Sequence, residues 1–236
     1  MACFNRTMKV AILSDIHDNL PMLRRALQRC DQAGALIFCG DFCSPFVSKE
    51  LGAGFARPIH TVFGNNDGDR FRLVAVAKGF PHLQFHGEYA ELELEGRTFS
   101  VNHFDNIGRA IAKGGKHDVV CFGHNHQFEI TSAGPTLVIN PGEVYGGLTG
   151  HSTFAIYDTA TGTAERVDLQ RAQGLPARIE PQPALFGIRV RCLHSAPYPP
   201  PGQPPSRSAV KEGLSGTGTP RGRHNFLRNF GLHFPL

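Results

Sequence analysis

The chain has 236 residues, of which 41% are hydrophobic. This length suits one large domain, or one domain with a tail. Neither a membrane-spanning helix nor a secretory signal is expected from the sequence. The net charge of +4 is uneven, because residues 171–236 contain nine Lys/Arg and two Asp/Glu while the rest contains 15 and 18, so no basic groove for nucleic acid is indicated in the main body. The six cysteines are scattered without a paired framework, which favours a reducing, cytoplasmic setting.

The first half of the chain alternates predicted strands and helices. Apolar runs predict buried strands at KVAILS, ALIFCG and PIHTVFG, and apolar residues at helical spacing predict helices at LPMLRRALQRC, PFVSKELGAG and GDRFRLVAVAKGF. Strands and helices that alternate in this way predict parallel pairing with helical crossovers. Met8, just before the first strand, is an alternative start that would make residues 1–7 an N-terminal extension.

The second half contains shorter elements. EYAELELEG and RTFSVNH predict a hairpin, IGRAIAKGGK a short helix, and DVVCFGH another buried strand. FEITSAG, TLVIN, STFAIYD and TAERVDL predict four short strands, which we expect to form an antiparallel meander. The whole pattern predicts an α/β domain over residues 8–169, with two packed sheets flanked by helices.

The C-terminal part of the chain differs in composition. Residues 170–236 hold 11 of the 17 prolines, and such a segment buries too little apolar surface to offset its ordering entropy. We expect a mostly disordered, basic, Pro/Gly-rich tail. If this tail is an appendage, deletion of residues 171–236 is expected to leave the function of the preceding domain intact.

Side chains that bind metals follow five of the strand-like segments, in SDIHDN, CGDFC, FGNNDGD, FSVNHFDN and CFGHNHQ. In parallel α/β sheets, ligands bind at the carboxyl ends of the strands, so these segments are predicted to meet at one edge. The candidate ligands are Asp15, His17, Asp41, Asn65, His103, His124 and His126.

The number and type of these side chains indicate more than one ion. Asp15 and His17 are expected to face the same side, because residues i and i+2 of an extended segment do so. Carboxylate, imidazole and carboxamide ligands without cysteine suit Mn²⁺, Fe, Ni²⁺ or Zn²⁺ more than Ca²⁺. Seven ligands are too many for one ion with open positions, but they suffice for two ions about 3.5–4 Å apart that share Asp41 and a water.

The ordered set D-x-H, G-D, G-N-x-D, H and G-H-x-H resembles the calcineurin-like metallophosphoesterases. The stretches DIHDN, GDFC, VFGNND, GHNH and INPGE are similar to the compact prokaryotic, YfcE-like phosphodiesterase branch of that superfamily. The resemblance covers roughly residues 8–169. It implies a four-layer α/β sandwich, in which two mixed sheets are flanked by helices.

The resemblance also implies a reaction. Two divalent ions, Mn²⁺ first among them and Ni²⁺, Fe, Zn²⁺ or Mg²⁺ as alternatives, would be bridged by Asp41 and by a hydroxide that attacks a small phosphodiester or activated phosphoester. A phosphodiesterase is favoured over a monoesterase. In this assignment Asp15, His17 and His126 bind the first ion, and Asn65, His103 and His124 bind the second.

The position after the Asn ligand departs from many members of the family, which have histidine there to protonate the leaving group. Here it is Asn66, which cannot act as a general acid at neutral pH. Asn66 and Asp67 are nevertheless kept as candidate catalytic residues beside Asp41. Support of the metal ligands and simple turn formation are equally favoured interpretations of the two side chains. Asp67 or His151 is a candidate for the missing acid.

Two further departures lie near the predicted site. Phe104 follows His103 where many relatives have glycine, and we expect its ring to narrow the pocket. Glu143 ends the NPGE stretch where NPGS is commoner, and we expect its carboxylate to repel anionic substrates or to bind a cation.

The alternative to an enzyme is a non-catalytic interaction scaffold, since the related retromer subunit uses the same fold for binding. That relative departs from the full ligand set, whereas all seven positions are filled here. Filled positions favour catalysis, and turnover of a phosphodiester would distinguish the two.

Overall fold

The computed structural model describes residues 7–169, which form four helices and eleven strands. The predicted tail and most of the predicted N-terminal extension lie outside these residues. The helices are α1 Leu20–Arg29, α2 Pro45–Gly54, α3 Arg70–Ala77 and α4 Asp105–Lys113. The strands are β1 Lys9–Leu13, β2 Ala33–Phe38, β3 Ile59–Thr61, β4 Leu83–Phe85, β5 Tyr89–Leu94, β6 Arg97–Asn102, β7 Val119–Cys121, β8 Phe128–Ala133, β9 Thr136–Pro141, β10 Ser152–Asp158 and β11 Thr163–Leu169.

The strands form two mixed sheets, as predicted. The first sheet has the spatial order β11-β10-β1-β2-β3-β4 and the second the order β5-β6-β7-β9-β8. β1, β2, β3 and β4 pair in parallel, and so do β6, β7 and β9. The parallel pairs place the carboxyl ends of neighbouring strands at the same edge of each sheet.

The layers follow from which face of each strand is buried. In β1, Ala11 and Leu13 belong to a core shared with α1, α2 and α3, whereas Val10 and Ile12 belong to the core between the two sheets. Because both faces are covered, β1 is apolar at every position after Lys9. A third cluster packs α4 on the outer face of the second sheet. These clusters confirm the helix–sheet–sheet–helix arrangement.

The strand arrangement differs from the sequence prediction in two ways. The last four strands do not form one meander: β8 and β9 are a hairpin in the second sheet, while β10 and β11 return to the first sheet, where β10 pairs with β1. Alternation of side chains does not specify which sheet a strand joins, because that depends on distant pairing. β4 was not predicted, since it has only three residues and carries the exposed Gln84.

The helices bear on the expectation that the chain has no membrane-spanning helix. None of the four helices in residues 7–169 is long and apolar enough to cross a bilayer. Four of the cysteines, Cys30, Cys39, Cys43 and Cys121, lie in this part of the chain as free thiols.

Two histidines outside the ligand motifs form a pair between β3 and the end of β4. His60 Nδ1 lies 3.1 Å from His86 Nε2, and the rings stack at 5.3 Å. Burial lowers the pKa of both imidazoles, and their proximity lowers the pKa of His60 further. The folded state therefore resists protonation of this pair more than the unfolded chain does.

We expect this pair to make stability depend on pH. The contribution of the pair to the free energy of unfolding is fully present above the pKa of an unfolded histidine, about 6.5. It is lost as the pH falls from about 6.5 toward the lowered pKa values of the two histidines in the folded protein. Urea midpoints measured between pH 7.5 and 5.5, with chelator present, should fall less for His60→Gln than for the wild type. Equal slopes for the two proteins would show that the pair does not contribute.

Candidate metal centre

The seven predicted ligands follow the ends of five strands. Asp15 and His17 follow β1, Asp41 follows β2, and Asn65 follows β3. In the second sheet, His103 follows β6, and His124 and His126 follow β7. The structure brings all seven side chains into one continuous cluster, in two groups that meet at Asp41.

The first group surrounds Asp15. Asp15 Oδ1 lies 3.3 Å from His126 Nε2 and 3.8 Å from His17 Nε2. His17 Nε2 in turn lies 3.6 Å from Asp41 Oδ2. Two ligands that each lie about 2.0–2.2 Å from one ion are themselves about 3–3.5 Å apart, so these separations are close to those around a shared cation.

The second group surrounds Asn65. Asn65 Oδ1 lies 3.0 Å from His103 Nε2 and 2.9 Å from His124 Nδ1. His103 Nε2 lies 3.4 Å from Asp41 Oδ2. The same oxygen of Asp41 therefore faces one histidine from each group.

Two polar atoms in the first group have no hydrogen-bond partner among the described residues. Asp15 Oδ1 and His17 Nε2 are both buried, and neither makes a hydrogen bond. An unsatisfied buried polar atom costs about 1–3 kcal/mol. Their nearest neighbours are other ligand atoms, so the residues fit a divalent cation bound among them.

The part of the chain that carries these ligands matches a known protein family. Residues 8–162 match the calcineurin-like phosphoesterase superfamily domain. The chain belongs to this superfamily. It is 37% identical over 156 residues to phosphodiesterase MJ0936 of Methanocaldococcus jannaschii, an alignment that covers 64% of this chain and 93% of that protein.

Solved structures agree with this assignment. One described as a novel archaeal phosphodiesterase has a TM-score of 0.65 and 34% identity, covering 69% of this chain and 100% of that one. Two other solved structures share the fold alone. Yfce, a phosphoesterase from E. coli, has a TM-score of 0.50 and 22% identity, covering 69% of this chain and 100% of that one. Vacuolar protein sorting 29 from Cryptosporidium parvum has a TM-score of 0.50 and 17% identity, covering 69% of this chain and 97% of that one.

The backbone of this calcineurin-like site is strained. The spacing of Asp15 and His17 predicts an extended segment, and this prediction is wrong, because β1 ends at Leu13 and both residues have positive φ. The left-handed region costs a non-glycine residue about 1–2 kcal/mol, so packing and hydrogen bonds must hold the loops in place. Positive φ occurs at five of the seven candidate ligands, at Asp15 (53°), His17 (41°), Asp41 (62°), His124 (71°) and His126 (62°).

Two glycines let the ligand loops approach each other. A Cβ at Gly64 would lie 2.1 Å from Asp41 Oδ1, and a Cβ at Gly123 would lie 2.4 Å from Asp15 Oδ2. Any side chain at either position would displace a candidate ligand. These glycines are therefore required by close backbone approach.

Each of three histidines uses its other ring nitrogen within the protein. His103 Nδ1 lies 2.8 Å from the Cys39 carbonyl oxygen, and His126 Nδ1 lies 2.8 Å from Glu143 Oε2. His17 Nδ1 lies 3.5 Å from Cys43 Sγ. A proton held at Nδ1 leaves the Nε2 lone pair free to bind a cation, which is the usual arrangement of ligand histidines.

The surroundings of Asp41 keep its carboxylate ionised. Burial alone would raise the pKa of Asp41, but hydrogen bonds from His103 and Asn66 outweigh it and lower that pKa. Burial alone would lower the pKa of His103 and His126, but Asp41 and Glu143 respectively outweigh it and raise both pKa values. Ionised carboxylates beside imidazoles form a site that favours positive charge.

Asn66 and Asp67, two of the predicted catalytic residues, lie against the ligand loops. The Asn66 N–H donates to Asp41 Oδ1 and its Nδ2 donates to Asp41 Oδ2, both at 2.8 Å. Asp67 is buried and accepts three backbone N–H bonds, from Phe42 at 2.6 Å, Cys43 at 3.0 Å and Gly64 at 2.7 Å. This geometry favours positioning over proton transfer for both side chains.

Glu143 differs from the sequence expectation. It is fully buried and hydrogen-bonded to His126 and to the backbone at Leu148 and Thr149, so it neither repels substrate nor has an oxygen free for another cation. The sequence motif could not show that Glu143 is a hydrogen-bond partner of His126, because His126 lies 17 residues away in the chain. Phe104 lies where predicted, with its ring 5.3 Å from His103 and 5.0 Å from His124.

Proposed function

We propose that the protein is a metal-dependent phosphodiesterase that hydrolyses a small phosphodiester or activated phosphoester at two divalent ions. The observation that carries the proposal is the position of Asp41 Oδ2, 3.6 Å from His17 Nε2 in one group and 3.4 Å from His103 Nε2 in the other. Identity of 37% to a protein named phosphodiesterase supports a diester as substrate.

In this proposal the chain binds, orients and isolates the reacting groups. Asn66 fixes both oxygens of Asp41, and the buried loops exclude water from the ligand side of Asp15. When bound, two divalent ions supply a hydroxide at neutral pH and offset charge on the phosphoryl oxygens. Mn²⁺ is the first candidate, and Ni²⁺, Fe, Zn²⁺ and Mg²⁺ suit the same donors. The residues that would hold them are Asp15, His17, Asp41 and His126 for one ion and Asp41, Asn65, His103 and His124 for the other.

The leaving group must depart with little help from the protein. Asn66 has no titratable proton near neutral pH, and Asp67 is occupied by three backbone amides. His151 is exposed, and its hydrogen bonds with Thr149 are made by its backbone. We therefore propose that leaving groups of low pKa are preferred.

The test is a phosphoester panel on the full chain. After treatment with chelator, the protein would be assayed with Mn²⁺ on bis-p-nitrophenyl phosphate, on the monoester p-nitrophenyl phosphate, and on an alkyl p-nitrophenyl diester and a dialkyl diester. We expect turnover of both aryl diesters, little turnover of the dialkyl ester, and no activity without metal. Binding of two metal equivalents with no cleavage of any ester would instead support the non-catalytic scaffold.

We further propose that residues 8–169 carry the activity and that 170–236 is an appendage. The proposal rests on the span of the family match, which ends at residue 162, and on the last strand, which ends at Leu169. All seven candidate ligands lie before this boundary.

A further inference from the structure

We propose that Glu143 is a positioning residue with two separable roles: one carboxylate oxygen sets the tautomer of His126 for metal binding, and the other holds the 148–149 loop beside the site. The inference rests on the metal centre of the proposed function. It does not rest on phosphoester hydrolysis, because metal affinity and amide exchange report on it directly.

The contacts of Glu143 divide between its two oxygens. Oε2 lies 2.8 Å from His126 Nδ1. Oε1 accepts from the Thr149 N–H at 2.6 Å, the Thr149 hydroxyl at 2.7 Å and the Leu148 N–H at 3.1 Å. The Leu148 N–H also lies 3.4 Å from Oε2, so it is shared with Oε1 as the nearer partner. The side chain is 0% exposed, and no Lys or Arg contacts it within the described part of the chain. A buried carboxylate without a cationic side chain depends on such hydrogen bonds.

The contact at Oε2 determines which nitrogen of His126 carries the proton. A carboxylate only accepts hydrogen bonds, so His126 must donate from Nδ1. In the neutral ring, which is the form that binds a metal, Nε2 then presents a lone pair, and this is the atom that lies 3.3 Å from Asp15 Oδ1 in the first ligand group. Carboxylate partners of this kind orient ligand histidines and raise their basicity.

The contacts at Oε1 hold a segment that also contacts the other histidine of the same group. The Tyr145 N–H donates to the Asp15 carbonyl oxygen at 3.0 Å, and the Tyr145 ring meets the His17 ring edge-on at 5.6 Å. Asn19 Nδ2 donates to the Tyr145 carbonyl oxygen at 3.0 Å. Residues 143–149 therefore contact both histidines of the first group, and Glu143 holds the far end of this segment.

Glu143→Gln separates the two roles. The three donors at Oε1 require an oxygen there, so the amide nitrogen of glutamine must face His126 Nδ1. That nitrogen donates, which forces His126 Nδ1 to accept and moves the ring proton to Nε2. We expect Mn²⁺ affinity at one of the two sites to fall about 10- to 100-fold, while amide exchange at Leu148 and Thr149 stays at the wild-type rate.

Thr149→Val tests the other oxygen. It removes the hydroxyl donor to Oε1, together with the bonds of that hydroxyl to the His151 backbone, but leaves the bond between Glu143 and His126 in place. We expect faster amide exchange at residues 148 and 149, which donate to Oε1, and Mn²⁺ affinity within about twofold of the wild type. The matched control is Glu165→Gln, which removes the same charge from an exposed position on β11 and should change neither measurement.

The measurements are calorimetric titration of metal-free full-length protein with MnCl₂ and hydrogen–deuterium exchange of the same samples. Wild-type affinity in Glu143→Gln would overturn the tautomer role, and unchanged exchange in Thr149→Val would overturn the loop role. If the wild type binds no Mn²⁺, the metal centre itself fails. If it binds Mn²⁺ as described but cleaves no ester, only the proposed reaction fails.

Discussion

Asp41→Asn is expected to reduce kcat/KM on bis-p-nitrophenyl phosphate by at least about 10²-fold, the scale on which loss of one preorganised electrostatic group acts. The substitution removes the negative charge that lies between His17 and His103. It also creates a donor conflict, because both oxygens of Asp41 accept from Asn66 and an asparagine presents an NH₂ group to one of those donors. Bound metal should therefore fall below two equivalents per chain.

The control for this variant is Asp69→Asn. Asp69 is the N-cap of α3 and accepts from the Arg72 N–H, and asparagine caps helices about as well as aspartate. The same change of charge at Asp69 should leave turnover and metal content near the wild-type values. Full metal content and wild-type turnover in Asp41→Asn would refute the bridging role.

Asp67→Ala is expected to destabilise the domain by about 3–5 kcal/mol. The substitution leaves three N–H groups without their acceptor, those of Phe42, Cys43 and Gly64, and each unsatisfied buried donor costs about 1–3 kcal/mol. These groups join the loop after β2 to the loop after β3, so both candidate ligands in them, Asp41 and Asn65, should lose their positions. Urea unfolding would measure the loss.

The comparison variant is Asp69→Ala, two residues away. It removes one exposed cap bond and should cost only about 1 kcal/mol. A loss in Asp67→Ala no larger than in Asp69→Ala would show that the three backbone bonds contribute little. It would also reopen a direct catalytic role for Asp67.

The strain at the site explains why stability and activity are expected to be linked. Asp15 and Asp41 adopt positive φ only because other groups hold their loops, among them Asp67 and Asn66. A variant that relaxes a loop can therefore gain backbone energy while losing ligand geometry. Because Mn²⁺ is expected to bind only the folded protein, its addition should raise the melting temperature.

The sequence by itself determined the candidate ligands and most of the elements. Ligand side chains directly after apolar strands are a local signal, since strand and ligand are adjacent in the chain, and helix α2 was predicted at Pro45–Gly54 as it occurs. The hairpin of β5 and β6 was predicted as well, because its two-residue turn ends in Gly96, whose positive φ of 76° suits the turn.

Only the tertiary structure decided which sheet β10 and β11 join, the positive φ of the ligand residues, and the partners of Asn66, Asp67 and Glu143. Several of the deciding contacts join residues far apart in the chain, such as β10 with β1 or Asp67 with Phe42. Side-chain periodicity records only which face of an element is buried. Which group a buried carboxylate meets depends on how the two packed sheets bring the loops together.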